Sequence, residues 1–160
     1  MSGKLRKSWR EKLADSKGLP KVVAIEGKMS RRWGSGTVCI PAPLEVDEIM
    51  RRVPRGRLIT VNQIREIVAR KHGATIGCPI TAGIFIGISA RAAEEAAADG
   101  MADITPYWRT LKSSGELNEK YPGGVEAQAS KLKEEGHIIE PDRTGRPKRV
   151  KDFEKVLVKL

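Results

Sequence analysis

The stretch from Ile80 to Asp99 constrains the fold most. It holds no proline, and its apolar and small residues run on for about five turns of helix. A shorter helix is expected just before it, from Gln63 to Lys71, with Ile64, Ile67 and Val68 turned inward and Thr60 or Asn62 as its cap. Gly73 ends that helix, and Thr75-Ile76-Gly77-Cys78-Pro79 makes the turn. Helix, glycine-containing turn and longer helix is the helix-turn-helix pattern. The first half of the long helix is almost uncharged, and Gly83 and Gly87 allow a close approach to another backbone. Its second half carries Glu94, Glu95 and Asp99, which would repel phosphate. If this helix enters a groove, its N-terminal half does so.

Around this pair the chain alternates short elements and breakers. Leu5, Trp9 and Leu13 stand four apart in a basic helix over residues 4–14, stopped near Gly18-Leu19-Pro20. Val22, Val23 and Ile25 suggest a strand, and Thr37 to Pro43 another. Pro43 opens a helix over 44–53, with acids in its first turns, arginines in its last, and Val46, Ile49, Met50 and Val53 buried. A helix from Val125 to Glu135 ends at Gly136. His137 to Val150 reads as a basic hairpin turning at Asp142-Arg143-Thr144-Gly145, and a short helix closes the chain. A basic hairpin after a helix-turn-helix is the wing of a winged helix.

The charge is +10 overall but is carried by the two ends. Residues 1–33 hold ten Lys/Arg against three Asp/Glu, residues 141–160 hold seven against three, and the middle is close to neutral. Basic arms on a neutral core suit a polyanion, or serve only to keep the surface solvated. Within the first arm, Arg31 and Arg32 beside Trp33 either touch phosphate and stack, or anchor the arm to the core. With 39% apolar and 31% charged residues the chain affords a folded core, and no apolar run reaches the roughly 20 residues of a membrane span. A cytoplasmic protein with no membrane partner is expected. Cys39 and Cys78 stand apart with only His72 and His137 available, so two buried free thiols are expected, with no metal and no cofactor.

The segment Ile104-Thr105-Pro106-Tyr107-Trp108-Arg109 sets two aromatic rings side by side after a stiff proline. They form either a plug in the core or a stacking surface for a base. With Val53-Pro54-Arg55-Gly56 and Leu58-Ile59-Thr60 ahead of it, and Gly115, Tyr121-Pro122-Gly123-Gly124-Val125-Glu126 and the helix to Gly136 behind it, the chain from about Val46 to Ile139 resembles the C-terminal DNA-binding domain of the alkylguanine-DNA alkyltransferases. The resemblance implies a fold that is mainly α with small β, a winged helix-turn-helix domain of the alkyltransferase type over 44–160, with residues 1–43 as a basic N-terminal extension.

Pro106-Tyr107-Trp108-Arg109 lies where that family has its Pro-Cys-His-Arg motif. Tyr107 thus stands at the nucleophile's position and Trp108 at the histidine's. A phenol with an ordinary pKa of about 10 is a poor nucleophile at neutral pH, so alkyl transfer is not expected. The family tyrosine that rotates the target nucleotide aligns with Val61, and the arginine that fills the vacated stack aligns near Gly83. The chain is closer to the alkyltransferase-like proteins, which lack the cysteine and bind alkylated guanine without repairing it. By this resemblance Pro106, Tyr107, Trp108, Arg109, Gly123 and Gly124 make a base pocket, with Tyr107 facing it and Trp108 packing inward. Thr60, Asn62, Pro79, Thr81, Gly83, Arg31, Arg32, Arg146 and Lys148 contact duplex DNA, alkylated or plain, and a repair protein is a further partner. The alternatives are a winged-helix nucleic-acid binder without lesion recognition and, less favoured, an active transferase using Cys39 or Cys78.

Overall fold

Helix α5 (Pro79–Ala98) is the member on which the others are laid. The computed structural model describes residues 6–159. Ahead of α5 come α1 (Trp9–Ala14), β1 (Lys21–Ala24), α2 (Met29–Trp33), β2 (Thr37–Ile40), α3 (Pro43–Arg51), β3 (Ile59–Thr60), α4 (Val61–Lys71) and β4 (Ile76–Gly77). After it come a 3-10 turn at Tyr107–Arg109, β5 (Thr110–Leu111), α6 (Gly124–Glu134), β6 (Ile139–Pro141), β7 (Pro147–Val150) and a 3-10 turn at Phe153–Val156. That last turn stands where a short helix was expected. Of the predicted stripe on the first helix, Trp9 and Leu13 pack on the main core, while Leu5 lies outside the described residues.

The buried face of α5 is made largely of alanines: Ala82, Ala90, Ala92, Ala93 and Ala96, with Phe85, Ile86 and Ile88. Small side chains let α1, α3 and α4 all approach it. Pro43 begins α3 as its first helical residue, and Val46 and Met50 of α3 bury fully against α5. Thr60 begins α4, its hydroxyl accepting from the Gln63 amide (3.3 Å) while the Gln63 side chain accepts from the Thr60 amide (3.0 Å). This reciprocal cap satisfies two amides that a helix start otherwise leaves open.

Residues 6–43 are bound closely to the rest. β1 pairs antiparallel with β2, and β2 runs parallel to β4 with Val38 opposite Ile76 and Cys39 opposite Gly77. A side chain on Gly77 would meet the Arg65 carbonyl oxygen at 2.5 Å, so this close passage of β4 over α4 requires glycine. Cys39 is fully buried in the main core, and Trp33 packs beside Ile25, Val38 and Cys78. A second cluster, Leu58, Leu111, Leu117, Leu132 and Val150, joins α6 to the β6–β7 hairpin. No described helix is long and apolar enough to cross a membrane.

Candidate nucleic-acid interface

The exposed side of α5's first half carries Ile80 (52% exposed), Gly83, Ile84 (53% exposed) and the half-buried Gly87. Among the described residues nothing lies within 4 Å of where a side chain on Gly83 would stand. A cleft of about 970 Å³ runs along this side, with α1 as one wall and residues 112–121 as the other. Lys7, Lys12 and Lys17 line the first wall, Lys112 and Lys120 stand opposite, and Arg91 rises from α5 between them, its guanidinium 5.1 Å from the Trp9 ring centre. Asp15 pairs with Lys7 and Glu119 with Lys112, each at 2.7 Å. Lys12, Lys17, Lys120 and Arg91 form no ion pair among the described residues, so the cleft keeps a net positive field over an aliphatic floor.

Helix α1 is held by α5. The Glu95 carboxylate accepts from the Trp9 amide (3.0 Å), the Arg10 amide (3.2 Å) and the Arg10 guanidinium (3.0 Å). A carboxylate at a helix N-terminus meets both the open amides and the positive end of the dipole. The Arg10 hydrogen bond holds Glu95 below its ordinary carboxylate range, helped by the Trp9 amide. Arg10 also pairs with Asp99. Two of the three acids expected to repel phosphate from α5 are therefore matched by Arg10. The third, Glu94, accepts a hydrogen bond from the Tyr107 hydroxyl at 2.7 Å.

That bond overturns the expected orientation of Tyr107. The ring is 1% exposed and forms edge-to-face pairs with Tyr121 (5.1 Å) and Trp108 (5.4 Å). Burial first, and then the Glu94 carboxylate, raises its pKa well above the ordinary value. It lines no open pocket. The reason lies in the backbone: Thr105 is pinned by a bond from its hydroxyl to Asp47 (2.7 Å), and the 3-10 turn after Pro106 rotates the tyrosine into the core.

Trp108 is the half-buried ring, its indole N–H donating to Glu135 (2.8 Å), with Lys131 Nζ 4.6 Å from the ring centre. Arg109 is an anchor. It donates to Glu135 at 2.9 Å through both Nε and Nη2 and to the Val53 carbonyl at 2.7 Å. Burial alone would raise the Glu135 pKa, but the bonds from Arg109 and Trp108 outweigh it and hold the carboxyl below its ordinary range. Pro106, Trp108 and Arg109 share a hollow of about 360 Å³ with Arg51 and Asp103. Gly123 and Gly124, both with positive φ, instead open α6 and line neither this hollow nor the cleft. The six expected pocket residues do not converge.

No protein-family model matches the chain, and no curated protein does. Solved structures do. The structure of S. pombe Atl1 in complex with damaged DNA containing O6-carboxymethylguanine superposes with a TM-score of 0.50 at 20% identity, covering 74% of this chain and 94% of that one. A structure of the S. pombe alkyltransferase-like protein with DNA gives 0.53 at 21% identity, with the same coverage. This is the alkyltransferase-like fold. About a quarter of the present chain lies outside the match.

On the alkyltransferase-like fold the expected DNA contacts fall into three groups. Thr60 is only 5% exposed and is spent capping α4, which removes it as a direct contact. Near the α5 terminus, Asn62 is exposed and accepts from Arg65 (3.1 Å), Pro79 and Thr81 are half-buried, and Gly83 is open. Of these only Gly83 lines the cleft, beside Val61. The Thr81 hydroxyl is buried without a partner among the described residues. Arg31 and Arg32 are exposed on α2 and line no part of the cleft, while Arg146, 3.4 Å from Glu126, and Lys148 are exposed on the hairpin.

Nothing along the chain marks Lys112, Lys120 or Arg91 in advance, since they lie in the stretch whose charges nearly cancel. What distinguishes Lys120 and Arg91 is position, because the neighbouring acids Glu119, Glu95 and Asp99 are paired with Lys112 and Arg10. Neither cysteine reaches a surface: both are buried, and burial, with Glu45 second, pushes the Cys39 thiol up to about 11.

Proposed function

We propose that this chain is a non-catalytic DNA-binding protein of the alkyltransferase-like type, acting on duplex DNA that includes alkylated guanine. The observation that carries the reading is the cationic cleft along the open, small-residue face of α5. Its lysines would neutralise backbone phosphates. Gly83 and Gly87 would let a strand approach closely, and Ile80 and Ile84 would act as aliphatic wedges against base steps. α4 and α5 then serve as the helix-turn-helix, and the β6–β7 hairpin, with Arg146 and Lys148, as the wing. The fission-yeast structures support the fold, and one of those proteins is bound to DNA carrying O6-carboxymethylguanine. Buried Tyr107 at the nucleophile's position, hydrogen-bonded to Glu94, supports binding without alkyl transfer. Handing the lesion to a repair protein, in the cytoplasm, belongs to the same reading.

A second reading, duplex binding without lesion recognition, is favoured by Val61 at the nucleotide-rotating position and by glycine, not arginine, at position 83. One titration separates them. Fluorescence anisotropy with matched duplexes, one carrying O6-methylguanine, should show clear preference for the modified strand. Lys12→Gln/Lys17→Gln/Lys120→Gln should weaken both and flatten the log affinity–log salt slope by roughly 0.9 for each phosphate no longer neutralised. Equal affinity for the two duplexes selects the second reading. An unchanged slope in the triple variant refutes the cleft as the interface, and a methyl adduct detected by intact mass refutes the non-catalytic assignment.

A further inference from the structure

On the surface built from the ends of α3 and α4 lies a second hollow, of about 550 Å³, sharing no residue with the cationic cleft. Its floor is aliphatic: Ile49, Val53, Ile59, Ile67 and Val158. Its rim is entirely basic: Arg52 from the end of α3, Arg70 and Lys71 from the last turn of α4, and Lys159. Among the described residues no carboxylate lines it. Lys71 is 3.0 Å from Glu45, a carboxylate that also takes His72 at 2.5 Å. Arg52, Arg70 and Lys159 meet no carboxylate among the described residues. Helix dipoles account for a basic residue at each helix C-terminus. They do not account for two such ends meeting over an aliphatic hollow whose only neighbouring acid among the described residues, Glu45, is already taken by Lys71 and His72.

We propose that this hollow is a docking site for an acidic protein segment bearing one bulky apolar side chain. The side chain would seat on the aliphatic floor, and the flanking carboxylates would meet Arg52, Arg70, Lys71 and Lys159. The volume lies within the ordinary range for a ligand pocket. Charge complementarity selects an anionic partner, and the floor selects among anions. A phosphodiester strand has no aliphatic group to fill it, and the floor offers no aromatic face on which a base would stack. Apolar burial would supply affinity, while the cationic rim would set the on-rate and exclude basic segments. Because the hollow and the cleft are separate, the protein can hold DNA and this segment together.

The test uses the full chain and a fluorescein-labelled twelve-residue peptide of Glu and Asp around one central Phe, with a twin in which that Phe is Ser. Anisotropy should show saturable binding of the Phe peptide, and the Ser twin should bind about tenfold or more weakly, as expected for losing one buried ring. Arg52→Ser/Arg70→Ser should lose about tenfold or more for the Phe peptide. Both side chains are exposed, and a thermal melt confirms that the variant folds. Lys120→Gln, in the cleft, and saturating plain duplex should leave peptide binding within about twofold. Equal binding of the two peptides would reduce the hollow to bulk electrostatics and overturn the proposal. So would displacement by duplex, insensitivity to the double variant, or stronger binding to anionic-lipid vesicles that the double variant abolishes.

Discussion

Replacing Tyr107 with alanine separates a core role from a ligand-facing one. The ring is enclosed by Tyr121 and Trp108, each in edge-to-face contact, and its hydroxyl ends on Glu94. Truncating a fully buried aromatic costs about 3–5 kcal/mol through lost transfer energy and the cavity left behind. For a chain of this size that corresponds to a drop in melting temperature of about 6–20 °C. Tyr107→Phe keeps the ring and removes only the hydrogen bond. It should cost about 1.5 kcal/mol, the low end for a charged acceptor, because Glu94 is partly open to water. Differential scanning calorimetry gives the stabilities, and anisotropy on the same samples, below the variant's transition, gives DNA affinity. Affinity should stay within about twofold for both variants, since the ring lines no surface. A Tyr107→Ala protein that melts within about 2 °C of wild type yet binds alkylated duplex poorly would refute the core assignment and restore the tyrosine to a ligand pocket.

Glu135→Gln should lower the melting temperature by about 6–20 °C, because it leaves the Arg109 guanidinium, only 14% exposed, without its counter-charge, a loss of about 3–5 kcal/mol. Glu135 and Glu45 are both held below the ordinary carboxylate range, so their stabilisation is complete above the unfolded value of about 4.3 and is lost as pH falls through the lowered folded values. Melting temperature should therefore fall steeply below about pH 4.3, and less steeply in Glu135→Gln; identical acid limbs would contradict this. Both thiols should resist an aromatic disulfide reagent at pH 8 until the chain is unfolded, and a cysteine that reacts at once in the native protein would show that the cores open to solvent.

The elements defined by local chemistry were legible from the residues alone. Pro43 starting α3, Thr60 capping α4, Gly136 after α6 and the Asp142–Gly145 turn all sit where their side chains or backbone preferences put them. The β2–β4 pair was not legible, because two residues of parallel ladder have no sequence period to detect, and its register depends on Gly77 passing Arg65. Nor was the direction of Tyr107. Its partner Glu94 lies thirteen residues earlier, in a run that reads as solvated surface. The cleft was hidden for a related reason. Three of its cations, Arg91, Lys112 and Lys120, lie where the charges nearly cancel along the sequence, and only the tertiary pairing of Glu95 and Asp99 with Arg10 shows which charges remain.

The short helix that walls the cleft has a consequence for any salt titration. Six residues are too few to hold a helix in isolation, so α1 persists through its contacts with α5, many of them between exposed charges. Dissolved ions screen such contacts as readily as they compete for phosphate. Raising ionic strength would then weaken two couplings at once: strand to protein, and wall to floor. The apparent number of displaced counterions would exceed the number of lysines that touch DNA, and the excess would report how tightly the wall is latched.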